Sequence, residues 1–192
     1  FKKTQTLANI NYLINGDGNI DIKVEFAIPE NSPNIPRLGL QFEIDSDLSE
    51  IEWYGRGPHE NYFDRKTSAA IGHYSSSLEK WITPYVRPQE NANRSDVRWI
   101  RFNNGDKKSI LFSSSSNSPL SVSAWPYSQE ILSKTSHDFE LEKHENITVN
   151  NDHLQMGVGG DKSWGLPVME KYQIKPGIYS YSFSIQQMEK NW

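Results

Sequence analysis

The sequence predicts an all-β protein built as an antiparallel sandwich, on three observations. Apolar and polar residues alternate with the period of a half-buried strand, in Ile20, Ile22, Val24, Phe26 and Ile28 and again in Leu38, Leu40, Phe42 and Ile44. The stretches between such runs carry Gly, Pro and Asn, the residues that turns require. No alternation of strand and helix patterns appears, which counts against a TIM barrel or a Rossmann fold.

The elements follow in order. Asn11 to Ile14 leads into Asn15-Gly16-Asp17-Gly18, a turn with two glycines free to take positive φ, so residues 10–28 read as a hairpin. The Leu38–Ile44 run is the next strand. Val97 to Phe102, Ser109 to Phe112, Leu120 to Ala124, Phe139 to Leu141 and Tyr179 to Ile185 read as further strands. One short helix is expected from Ser128 to Thr135, with Ser128 as N-cap and Ile131 and Leu132 on one side. The serines from Ser113 to Ser116 read as a loop. No internal repeat and no linker interrupts the pattern, so residues 1–192 are expected to form one sandwich domain.

Bulk properties narrow the function. A chain of 192 residues is long enough to bury a sizeable core. The net charge is −4 and no basic stripe stands out, which argues against nucleic acid as a partner. No apolar run approaches the ~20 residues that cross a bilayer, so no membrane partner is expected. There is no cysteine, hence no disulfide and no zinc–thiolate site. That fits a cytoplasmic or a periplasmic protein. The start at Phe1-Lys2-Lys3, without Met, reads as a piece of a longer chain.

Three polar-aromatic stretches break the strand pattern: WYGRGPHENYFDRK at 53–66, TPYVRPQENANRSDVRW at 83–99 and MGVGGDKSWG at 156–165. Each mixes Gly or Pro with charged groups, amides and flat rings. Such loops suit sugars, whose C–H faces stack on aromatic rings while their hydroxyls take polar partners. The same residues also serve as internal ties. Arg56, Glu60, Asp64 and Arg65, or Glu90, Asn93, Arg94 and Asp96, would then pair with one another and hold the loops rigid. In the third stretch the adjacent Gly159 and Gly160 precede a large ring, Trp164, which must pack on something, either the chain's own core or another molecule. The five histidines are scattered without metal-ligand spacing, and no metal site is assigned.

The three stretches, in this order and with KTSHDFEL between the second and third, resemble the C-terminal small-chain module of family 2 glycoside hydrolases, more narrowly β-galactosidases of the LacZ type. The resemblance runs from about Asn11 to Tyr181. Two departures are visible: the family usually has Gly where this chain has Ala92, and often an acid or amide where it has Lys162. The resemblance implies a galactose mutarotase-like super-sandwich whose first strands lie upstream of Phe1. It implies a parent enzyme that hydrolyses terminal β-D-galactosides such as lactose, with Mg²⁺ and, as a second candidate, Na⁺ bound by its other domains. The carboxylate pair of a retaining mechanism, about 5–5.5 Å apart, belongs in the family to a separate TIM barrel, so this chain alone is expected to be inactive.

The resemblance also assigns Trp164 a place. In the similar enzymes the tryptophan of this loop reaches into the barrel's active site as a platform for the leaving sugar. Asp161 and Ser163 would shape its loop. Glu90, Asn93, Arg94 and His137 are further substrate-binding candidates. The expected partners are a β-galactoside, the catalytic barrel of the same enzyme and, in a homo-oligomer, further copies. Two other readings stay open: a stand-alone carbohydrate-binding or mutarotase-like domain, which needs His137 and an acid such as Glu90 on one groove, and a purely structural assembly module.

Overall fold

The computed structural model describes residues 6–105, 108–115, 118–158 and 168–189. Among them eleven strands form two antiparallel sheets. They are β1 (Leu7–Ile14), β2 (Ile20–Ile28), β3 (Arg37–Asp45), β4 (Glu50–Gly57), β5 (Ala70–Ser77), β6 (Arg94–Val97), β7 (Trp99–Asn103), β8 (Lys108–Ser114), β9 (Leu120–Trp125), β10 (Asn146–Gln155) and β11 (Gly177–Glu189). The larger sheet runs β1-β2-β11-β8-β7-β4-β5 and the smaller β3-β10-β9-β6. Two short helices lie in the connections, α1 (Leu78–Trp81) between β5 and β6 and α2 (Gln129–Lys134) between β9 and β10. No helix among the described residues is long and apolar enough to cross a membrane.

The alternation in the sequence sets the faces. Ile22, Val24, Phe26 and Ile28 of β2 are buried, and the residues between them are not. The hairpin turn closes with Asn15 N–H on the Asn19 carbonyl at 2.9 Å and Gly18 N–H on the Asn15 carbonyl at 3.0 Å. Gly18 supplies the positive φ, +84°. The two sheets meet through aromatic rings. Phe42 of β3 packs on Phe112 of β8 at 5.5 Å and on Phe183 of β11 at 6.0 Å. Trp53, Trp81 and Trp125 are the largest fully buried side chains. Truncating a core aromatic of this kind to Ala typically costs about 3–5 kcal/mol.

The sandwich expected from the sequence is therefore present, with local differences. Helix α2 forms where expected, and the Ser128 side chain accepts from the Ile131 N–H at 3.2 Å as its N-cap. Phe139 to Leu141 is not a strand. Residues 138–140 form a single 3₁₀ turn, with Phe139 among the exposed large apolar residues. The apolar pair there mimicked strand alternation over a window too short to decide. Ser113 and Ser114 extend β8 rather than starting a loop. Residues 53–57, read as the start of a loop, complete β4, and α1 is an additional helix.

β10 was hidden by its composition. Asn150, Asn151 and Asp152 are poor strand formers, yet they lie buried between β3 and β9. β1 is the opposite case. It has good strand chemistry and edges the larger sheet, and all eight of its residues are exposed.

Candidate functional site

The first two polar-aromatic stretches are laced together at Glu60. One carboxylate oxygen accepts from the Tyr85 hydroxyl and from Arg65 Nη2 at 2.8 Å, and the other accepts from the Ala92 N–H at 2.9 Å. Burial alone would raise its pKa. The bonds from Tyr85, Ala92 and Thr83 and the charge of Arg65 outweigh this and hold it below the ordinary carboxylate value. Ala92 takes φ +65°, the left-handed region that glycine adopts without cost. Asn61 and Asn93 bind each other's backbone, Asn61 N–H to the Asn93 carbonyl and Asn93 Nδ2 to the Asn61 carbonyl, both at 2.8 Å.

Arg94 is buried below this tie. Its guanidinium donates to the carbonyls of Pro58 (3.1 Å), Ala92 (3.0 Å), Asn93 (3.4 Å) and Trp81 (3.4 Å) and lies over the Trp81 ring. Burial lowers its pKa to about 10, which still leaves it charged at neutral pH. The bonds of Asn93 and Arg94 thus run largely to main-chain groups of the two stretches, the geometry of a tie. Arg56 does similar work. It binds Asp96 at 2.5 Å and the carbonyls of Lys66 and Ala69, and Lys66 Nζ closes on both oxygens of Asp96 at 3.1 Å.

Glu90 belongs to a second network that the sequence did not point to. Arg37, at the start of β3, donates to Glu90 Oε2 at 3.1 Å and, through Nε at 3.1 Å and through Nη2, to Asp152 Oδ2. Gln155 Nε2 also donates to Asp152, at 2.8 Å. A Cβ on Gly39 would lie 2.6 Å from the Asp152 Cα, so only glycine lets β3 approach β10 this closely. Burial raises the pKa of both Glu90 and Asp152 against the pull of Arg37. Glu90 Oε1 and the Tyr62 hydroxyl are buried without a hydrogen-bond partner.

The third stretch is described only at its root. Gly157 N–H bonds the Tyr172 carbonyl at 2.9 Å and Val158 N–H bonds Asp64 Oδ1 at 3.3 Å, which fastens the loop's entry to the first stretch. A Cβ on Gly157 would fall 2.6 Å from Asp64 Oδ2. Trp164, Asp161 and Ser163 lie outside the described residues.

His137 stands apart. Its backbone N–H bonds Glu140 Oε2 at 3.0 Å and its ring stacks on Phe139 at 5.4 Å. A cleft of about 240 Å³ near this turn is lined by Tyr85, Gln89, Asn91, Tyr127, Asp138 and Lys143 among others, and neither His137 nor Glu90 lines it. The structure thus joins Glu60, Asn93 and Arg94 in one network, Glu90 in another, and leaves His137 in neither. Arg37, Asp152 and Gln155 were missed because no local motif marks residues that meet across 115 positions of chain. Among the described residues no three His, Cys, Asp or Glu side chains gather as metal ligands would.

Comparison with known proteins gives a consistent result. The family model described as "Beta galactosidase small chain" matches residues 2–185. The β-galactosidase of Priestia megaterium is 35% identical over 178 residues, covering 92% of this chain and 17% of that protein. That of Pseudoalteromonas haloplanktis is 36% identical over 176 residues, 91% of this chain and 16% of that protein. That of Lactobacillus delbrueckii subsp. bulgaricus is 37% identical over 164 residues, 85% and 16% respectively. The chain spans less than a fifth of the length of these relatives.

Proposed function

Because the chain belongs to the beta galactosidase small chain family, we propose that it is an accessory module of a longer β-galactosidase and supplies a loop tryptophan, Trp164, to that enzyme's substrate site. The observation that carries the accessory-module reading is the match itself, which runs along nearly all of this chain and a small part of each relative; the role of Trp164 rests on the resemblance of its loop. The parent would hydrolyse terminal β-D-galactosides by a retaining mechanism, with its carboxylate pair and any metal on other domains.

In this reading the two networks around Glu60 and Arg37 are scaffolding, and the loop after Val158 is the working part. Its entry is clamped by Asp64 and Tyr172. A ring that is positioned before the sugar arrives would lose little entropy on stacking, so its contribution would reach binding nearly undiminished. Asp161 and Ser163 would shape the loop that carries Trp164. Binding energy gathered away from the reacting bond affects turnover as well as affinity.

The test is Trp164→Ala in the full-length enzyme. A stacked aromatic face is worth about 1–2 kcal/mol by analogy with aromatic pairs, roughly a tenfold change in affinity. KM for lactose should rise by about that factor while the melting temperature holds. A large fall in melting temperature with unchanged KM would return Trp164 to the core and remove the proposed role.

A further inference from the structure

A separate cleft of about 200 Å³ opens on the side of the sandwich where β10, the β8–β9 connection and the first polar-aromatic stretch converge. Phe63, Lys66, Asp96, Ser118, His153 and Gln155 are among its lining residues. Four side chains mark it as built to receive something.

Gln155 is buried, with 5% of its surface exposed, and its Oε1 has no hydrogen-bond partner. The amide cannot turn to relieve this, because its Nε2 is committed to the Asp152 carboxylate at 2.8 Å. An acceptor left unmet at this depth costs free energy, and since solvent does not reach the atom itself, a donor in the cleft meets it only after a small shift of the lining side chains. Phe63 offers the opposite chemistry. The residue is 42% exposed although Tyr172 braces its ring edge-on at 5.4 Å and Lys66 lies 5.6 Å from the ring centroid. Asp96 holds φ +53°, a left-handed state that Asp enters more readily than most side chains, and its carboxylate is tied to Arg56 and Lys66. His153 completes the lining. Its Nδ1 lies 3.3 Å from Ser118 Oγ and its ring stacks on Tyr181 at 5.3 Å.

An open aromatic face, a fixed amide acceptor, an imidazole and a carboxylate on one small cleft match a molecule with a C–H face and several hydroxyls. The volume is below the ~300–1,000 Å³ of common small-molecule pockets, so it suits one ring and not a chain of them. We infer that this cleft is a second carbohydrate site, which takes a single neutral pyranose ring stacked on Phe63 with its hydroxyls on Gln155, His153 and Asp96. The inference rests on the reading of this chain as part of a carbohydrate-active enzyme but not on the role of Trp164.

The test uses the full-length enzyme carrying Trp164→Ala, so that the proposed platform does not contribute. Methyl β-D-galactopyranoside and methyl β-D-glucopyranoside are titrated and followed by ligand-observed NMR. Saturable binding of at least one is expected, about three- to tenfold weaker after Phe63→Ala and weakened to a similar degree by Gln155→Met, which keeps the length but removes the acceptor. Melting curves of both variants report whether the fold is intact. Phe63 is exposed enough for its variant to fold, so the test survives a failure of the Gln155 variant. Absence of saturable binding, or binding that neither substitution changes in folded protein, overturns the cleft. If instead Trp164→Ala leaves KM unchanged while Phe63→Ala weakens saccharide binding, the platform fails and the cleft stands.

Discussion

The guanidinium carbon of Arg94 sits 4.1 Å from the centroid of the Trp81 ring, with the Trp53 ring a further 5.6 Å neighbour. A buried cation is thus held by two indole faces and four main-chain carbonyls rather than by a bonded carboxylate. The arrangement depends on the planar fork of arginine. Lysine keeps the charge but cannot reach the carbonyls of Pro58, Ala92 and Trp81 together. Arg94→Lys is expected to destabilise the fold by about 2–4 kcal/mol, through carbonyls left without donors. Urea unfolding measures it. A loss under about 1 kcal/mol would mean that the fork is dispensable.

Ala92 poses a balance of two effects. Its φ of +65° costs about 1 kcal/mol for a residue with a Cβ. Its methyl is fully buried, worth about 0.8 kcal/mol. Ala92→Gly exchanges one for the other, so its stability should stay within about 1 kcal/mol of the parent. Ala92→Val adds bulk to a filled site and a branched Cβ at positive φ, and should cost more than about 2 kcal/mol. Thermal melts of the two variants side by side check the pair. Equal behaviour of Gly and Val would remove the backbone argument.

Glu60 carries a pH prediction. Its folded pKa lies below its ordinary value of 4.5, because the Tyr85, Ala92 and Thr83 bonds and the Arg65 charge outweigh burial. Its contribution to stability is therefore complete above pH ~4.5 and is lost as pH falls through the lowered pKa. Glu60→Gln should cost about 1–3 kcal/mol at pH 7 and flatten the acid side of the stability curve. Glu90 and Asp152 act in the opposite sense. Burial raises their pKa values, so they oppose folding increasingly as pH rises from their ordinary range through the raised values. Denaturant midpoints from pH 3 to 7, for the parent and Glu60→Gln, decide the matter. An unchanged acid slope in the variant would show that Glu60 is not the group responsible.

The β1 edge is expected to self-associate. Tyr12 and Ile14 lie 60% and 71% exposed on an edge strand whose backbone groups have no outer partner strand among the described residues. The 192-residue chain on its own should form dimers or larger species, which Tyr12→Lys with Ile14→Lys should return to monomer, since edge lysines block strand pairing. Light scattering coupled to gel filtration reads both states. A monomeric parent chain would sink this expectation.

The sequence by itself determined the class of fold and those elements whose causes are local. The β1–β2 hairpin needed only alternation and the Asn15–Gly18 turn, and α2 needed only Ser128 ahead of Ile131 and Leu132. It also marked the three polar-aromatic stretches. Local pattern misled where the window was short: Phe139 read as strand and is an exposed 3₁₀ turn. Only the tertiary structure decided what the polar residues do. Asn150, Asn151 and Asp152 look like turn residues in sequence. They are strand residues because β3 and β9 flank them, and the two strands bring Gln41 and Ser123 to the Asn150 side chain and Arg37 to that of Asp152. Arg94 reads equally as a sugar ligand or an internal tie until Trp53 and Trp81 are packed around it. The partner that satisfies a buried polar group is remote in the chain, and no local pattern of residues encodes where that partner comes from.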